Sequence, residues 1–348
     1  MDAREIFNRP DLFLLAFEPA HGVFVEMNRE AYHRSIFFDM RIAPVKKDGL
    51  KIPLAPLIEL QEREFSEIRP ISYIFHVAHC GSTLLARALD APGENLVVRE
   101  PMPLRQLAVE AGSGFYGAPA PDAWKKRLDL ACALLGRSYT PNGPVIVKGN
   151  VPVNFIAKQL MDRSPGQPSI LLYFPFEHYL LAILRSPNHR KWVGSVIGEL
   201  QRGVSAHAPL AAGMSVAQGA AALWLAQMRI YADILATHPK AASLDAEVFF
   251  NYPREAVAAS FRHFGMSCPD ERLDAIIGGE LFARYSKNPS VAFDNSARLA
   301  RRDALKKEMA GELDEARNYV LRALESKPLP AKLANPLTGE SPDLLMRI

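Results

Sequence analysis

Cysteine is scarce: Cys80, Cys132 and Cys268 are an odd set at spacings that suit neither a disulfide framework nor a zinc site. A reducing compartment is therefore expected. An excess of one charge is missing too, since 41 Lys+Arg against 38 Asp+Glu leave +3. That is too little for net charge to imply a nucleic-acid or membrane partner, and neither is expected. Recognition of any anion must be local. No run approaches the roughly 18 uninterrupted apolar residues of a membrane span. The first residues, Met-Asp-Ala-Arg-Glu-Ile-Phe, carry acids where a secretory leader has a basic patch and an apolar run. A cytoplasmic location is expected. His21, His33, His178, His189, His207, His238 and His263 are scattered singly, without metal-ligand spacing, and read as ordinary surface or loop residues. No metal is expected, and no internal repeat or low-complexity tract is present.

What remains is a chain of 348 residues, 49% hydrophobic and 23% charged, able to bury a sizeable core. LFLLAF and GVFVEM flank Glu18-Pro19-Ala20-His21 as a hairpin or two short strands. Asn28 caps a helix expected over Arg29 to Phe38, and a polar, proline-containing stretch runs on to about Pro70. Residues 1–68 thus read as an N-terminal appendage. From Ile71 strands and helices alternate: ISYIFHV, Asn95 to Val98, Pro144 to Val147 and Ser169 to Phe174 as strands, with helices after Gly81, over 103–138, after Pro152 and from Pro175. This order implies right-handed crossovers and an α/β fold with a parallel sheet flanked by helices. Past residue 190 the pattern is mostly helical, clearest over Ser215 to Leu235, with a last strand expected over Ala241 to Phe250. The division is an appendage (1–68), an α/β core (69–265), and a helical C-terminal segment (266–348) whose stretch 327–345 is an extended tail on the surface.

The loop His76-Val77-Ala78-His79-Cys80-Gly81-Ser82-Thr83 joins an apolar strand to an apolar helix. In an open parallel sheet ligands bind outside the carboxyl ends of the strands, where helix N-termini offer N–H groups to anions. Gly81 lets the backbone approach bound oxygens; Ser82 and Thr83 add hydroxyls. Against the phosphate-binding pattern GxxxxGK[ST], Gly81 and Thr83 match, whereas His76 replaces the first glycine and Ser82 the lysine. The plainer reading of Cys80 to Thr83 is a helix cap.

FHVAHCGSTLLARALD followed by VVREP resembles the sulfotransferases that use 3′-phosphoadenosine 5′-phosphosulfate, whose loop reads roughly P-[KR]-S-G-[ST]-[ST] after a strand. The likeness is to the tyrosylprotein branch in particular, and as a pattern of elements it spans about 70–265. It implies a P-loop-like fold, this donor without a metal, and a small-molecule or peptide acceptor. Cys80, Gly81, Ser82 and Thr83 correspond to the donor loop, with His79 at its basic position. Glu100, nineteen positions after Gly81, corresponds to the acidic base.

Glu100 stands two residues past the second strand and Lys148 directly after the third, so both face the loop; the alternatives are a capping carboxylate and a surface ion pair. Lys148 resembles the family's post-strand lysine by position. The family's arginine at the fourth strand end and serine eight residues later become Phe174 and Ala182. Arg185 lies one helical turn beyond Ala182 and is the substitute for the 3′-phosphate. A second register makes LLAILRSP the strand, with Arg185 and Ser195 as the pair. Lys287 in Tyr285-Ser286-Lys287, and Arg298, correspond to a basic segment over the donor; Arg298, Arg301, Arg302, Lys306 and Lys307 equally suit a solvated helix face. The leading expectation is sulfonate transfer with Glu100, Lys148 and His79 catalytic. A nucleotide-dependent kinase and a non-catalytic anion or partner binder are the rivals, and a homodimer is left open.

Overall fold

The computed structural model describes residues 4–348. The N-terminal segment forms an antiparallel sheet, β1 (Leu12–Phe17), β2 (His21–Glu26) and β3 (Lys46–Pro53), in that order. The expected hairpin is therefore present, but the polar stretch before Pro70 is not featureless. It holds β3 and a helix, Leu54–Glu64, that buries Leu54, Leu57 and Leu60. Asn28 caps the next helix by accepting the Ala31 N–H, as expected, yet that helix stops at Arg34. The buried Arg99 guanidinium takes the carbonyls of Tyr32 and Ser35 at 2.5 and 2.6 Å, which ends it early.

The core is a five-stranded parallel sheet of β4 (Ser72–His76), β5 (Leu96–Arg99), β6 (Val145–Lys148), β7 (Ser169–Tyr173) and β8 (Ala241–Asp245), ordered β5-β6-β4-β7-β8. These strands are near-continuous apolar runs buried on both faces, as helix-covered parallel strands must be. Helices 82–88, 102–110, 122–135, 157–162, 176–183, 187–199 and 216–237 supply the cover. The longest, Val216–Thr237, starts in a capping box of Ser215 and Gln218. The α/β class read from the alternating pattern is the one observed. Residues 176–183 are helical, so the first register at the fourth strand holds.

Two expectations fail nearby. The last strand ends at Asp245 rather than Phe250, because the Asp245 carboxylate accepts the Glu247 N–H and starts the helix Ala246–Asn251. The C-terminal part is not all helix either: β9 (Arg284–Tyr285) and β10 (Asn288–Ala292) form an exposed hairpin before the helices Asn295–Glu308 and Ala310–Ser326. Among the described residues, no helix is long and apolar enough to cross a membrane.

Strand order turns at β4. The chain leaves it for β5 and β6 on one side and then crosses to β7 and β8 on the other. The crevice outside its carboxyl end is where an open parallel sheet binds ligands, and the loop 76–83 lies there.

Candidate anion site

Gly81 has φ of +83°, and a Cβ there would come within 2.8 Å of Phe250 Cζ and 3.0 Å of Phe249 Cε1. Glycine is thus fixed at this position by both backbone and packing. Three non-glycine residues among those described have positive φ: His79, Glu100 and Asn335. Two of these are candidate site residues, and backbone held in this region is a cost that surrounding structure must sustain.

Below the loop, the His76 ring nitrogens lie 2.8 Å from the carbonyl oxygens of Val77 and of Gly149, tying the loop base to the end of β6. Burial, then Lys148, lowers the His76 pKa to about 3, so the ring is neutral and donates to one of the two. Cys80 is turned inward, its thiol donating to Val77 O at 2.8 Å, and burial raises its pKa to about 11. Cys80 therefore offers the cleft its backbone, with no thiolate. Ser82 and Thr83 open the helix Ser82–Ala88, and the buried Thr83 Oγ1 has no hydrogen-bond partner.

Above the loop is a cleft of about 400 Å³. Its walls bring together His79, Cys80, Gly81, Ser82, Thr83, Arg185, Lys287 and Arg298, all candidates from the sequence, with His189, Arg284 and the aromatic Phe250, Tyr285 and Phe293. No aspartate or glutamate is among the lining residues. The cations differ in what they already hold. Arg298 is committed: it forks onto Glu247 at 2.6 and 2.9 Å and lies 4.5 Å over the Phe250 ring. Arg185 reaches no carboxylate within ion-pair distance among the described residues; its Nε–H donates to His189 Nδ1 at 3.4 Å. Lys287, on the β9–β10 hairpin, lies 5.8 Å over the Phe37 ring.

His79 is not the cation its place in the motif suggests. Burial first, then Lys287, His189 and Arg185, lower its pKa to about 2, and the ring is neutral near pH 7. His189, read from sequence as an ordinary surface residue, packs on it with centroids 4.0 Å apart, and burial beside Arg185 and Lys287 lowers its pKa to about 4. His178 is a further correction, since it is buried against Phe174 and Glu247. The signal for His189 was local: Ser186-Pro187 is a cap followed by proline at the first helical position, and the Ser186 hydroxyl accepts the His189 N–H at 3.4 Å.

Glu100 and Lys148 stand at the adjoining ends of β5 and β6, beneath the cleft rather than on its wall. Lys148 is the last residue of β6, fully buried, and its ammonium donates to the Glu100 carboxylate. Burial favours a neutral Glu100, but Lys148 and Lys287 outweigh it and hold the carboxyl well below its usual range. At the fourth strand end, buried Phe174 stacks against Phe250 and His178, so no cation stands there.

No family model matches the chain, and no curated protein matches it. Two sulfotransferases are among the solved structures similar to it. A sulfotransferase domain from the curacin biosynthetic pathway matches with TM-score 0.41 at 12% identity, covering 76% of this chain and 100% of that one. A sulfotransferase from Alicyclobacillus acidocaldarius matches with TM-score 0.33 at 14% identity, covering 74% and 98%.

Proposed function

We propose that the chain is a sulfotransferase that moves a sulfonate from 3′-phosphoadenosine 5′-phosphosulfate to a hydroxyl, or an amine, of a small molecule or peptide. The observation that carries this reading is the cleft itself. Arg185, Arg284, Lys287 and Arg298 and two imidazoles surround a loop of backbone donors, no acid lines the wall, and a carboxylate and an ammonium wait at the next two strand ends. A ligand with several negative charges is the complement of such a site.

The residues present fit a phosphosulfate. The unpartnered Thr83 hydroxyl, the Ser82 hydroxyl and the loop amides would hold its oxygens, and Arg185 and Lys287 would hold the second phosphate that the Phe174 position does not. When bound, the donor supplies an activated sulfonate and a phosphate leaving group. Lys148 is shared between two demands. Bonded to Glu100 it suppresses that carboxylate's basicity; drawn toward new negative charge it releases Glu100 to take the acceptor's proton. The same ammonium then steadies the leaving charge. A magnesium-dependent kinase is the poorer fit, because Ser82 stands in the lysine position and no carboxylate lines the cleft.

Adenosine 3′,5′-bisphosphate is expected to raise the melting temperature, by the equivalent of about 2.7 kcal/mol at a hundredfold excess over Kd. Stabilisation by ATP with Mg²⁺ alone rejects the reading. Glu100→Gln is expected to slow transfer across a panel of hydroxyl acceptors by roughly 10²–10⁴-fold while bisphosphate affinity stays. Unchanged transfer removes Glu100 from the chemistry.

A further inference from the structure

His79 and His189 come from different elements, a loop and the helix Pro187–Glu199, yet their rings meet at 4.0 Å and a tilt of 47°. Both line the cleft whose loop places a histidine where a permanent cation is expected. We infer that this pair is a proton-loaded anion receptor: entry of a sulfate- or phosphate-type dianion is coupled to uptake of one proton by the two imidazoles. The inference rests on the anion-site reading above and specifies how that site gains charge.

The surroundings make the coupling follow. His79 faces Lys287 from the hairpin, His189 in ring contact from the helix Pro187–Glu199, Arg185 from the bend before that helix, and His76 from below. His189 faces Arg185, Lys287 and Arg301. The charged neighbours of the pair, Lys287, Arg185 and Arg301, are all cations. In the empty cleft both rings are held neutral by this field and by burial. A dianion among the same groups reverses the sign of the field, which favours the imidazolium. Two imidazolium rings at this separation repel, so the pair takes one proton rather than two. A neutral ring also has only one N–H, whereas the imidazolium has two, so the proton adds a donor as well as a charge.

The consequence is a site whose affinity depends on pH where an arginine or lysine site would be level. Each proton taken up makes affinity fall about tenfold per pH unit above the free pKa, until the bound-state pKa is passed.

The test uses the full chain labelled with ¹⁵N-histidine and inorganic sulfate, which does not itself titrate near neutrality. Ring nitrogen signals are followed while sulfate is added at about pH 6 and about pH 8. Expected is a shift of the His79 or His189 ring from neutral to doubly protonated on binding, with tighter binding at the lower pH. Calorimetry in two buffers of different ionisation enthalpy should read about one proton absorbed per sulfate. His189→Gln and His79→Asn, the latter chosen because asparagine tolerates positive φ, should together leave sulfate binding weak and independent of pH. Binding with both rings neutral, or uptake surviving in the double variant, overturns the inference alone. Failure of sulfate and of adenosine 3′,5′-bisphosphate to bind at any pH overturns the anion site with it.

Discussion

The helix Ser82–Ala88 has a cluster of cationic side chains at each end, and the two clusters are built on opposite plans. Just past its C-terminal end, Asp90 receives Arg29 at 2.5 Å, His33 at 2.9 Å and Arg99 at 3.3 Å. At its start, the cations Arg185 and Lys287 and the neutral rings of His79 and His189 surround a space that no carboxylate of the described residues lines. In the first the chain supplies its own counter-ion, and burial, which alone would raise the Asp90 carboxyl, is outweighed by His33, Arg99 and Arg29, which hold it at about 2. In the second the counter-ion must come from outside. Cations that share an internal acid hold the N-terminal segment to the sheet; cations left without one are kept for a ligand.

The largest effect that would sharpen this contrast is expected from Asp90→Ala. Removing the acid leaves buried Arg99 without a counter-ion and should cost about 3–5 kcal/mol in denaturant unfolding. A loss under 1 kcal/mol would erase the distinction. The sign of its pH dependence follows from a folded-state pKa lowered from 3.8 to about 2: the contribution is present above pH 3.8 and fades as pH falls toward 2, so the variant's acid limb should be shallower.

His189→Glu converts the second cluster to the plan of the first. A carboxylate beside Arg185 and Lys287 should weaken sulfate and bisphosphate binding by roughly 100-fold, about 2.7 kcal/mol, while thermal stability holds or rises. Retained affinity would mean the anion sits elsewhere. Arg185→Ala is the smallest of the three. It should weaken the bisphosphate by about tenfold, some 1.4 kcal/mol, without loss of stability, because the folded protein gains nothing from a cation that has no acid.

Legibility in the sequence tracked burial. β4, β5, β6 and β7 read correctly because both faces are apolar, and their ends were placed within one residue. β3 and the β9–β10 hairpin were missed because they are exposed, so KKDGLKIP and RYSKNPSVA show no apolar alternation. The strand expected to Phe250 was drawn too long because Asp245 caps a helix whose apolar residues continue the run of the strand. At the site, the loop was visible from Gly81 and its hydroxyl neighbours, whereas Arg185 reaches the cleft by a route other than the expected helical offset: the helix ends at Ile183, and Arg185 stands in the bend before the helix Pro187–Glu199. That His79 is neutral, that Arg298 is held by Glu247, and that Lys148 bonds Glu100 depend on contacts across 48 residues or more, which local spacing does not encode.

The C-terminal tail has a consequence of a different kind. Asn335 O accepts the Ser243 N–H and Leu337 N–H donates to Ser243 O, both at 2.8 Å, so the tail runs alongside the outer strand β8 in parallel. On the opposite margin Phe38 N–H donates to Arg99 O at 2.8 Å. Both borders of the sheet are thus stoppered by irregular chain, which leaves no long open rim for a second molecule's strand to join. A chain shortened before residue 330 would present the β8 border to its neighbours and become prone to self-association, whatever its activity.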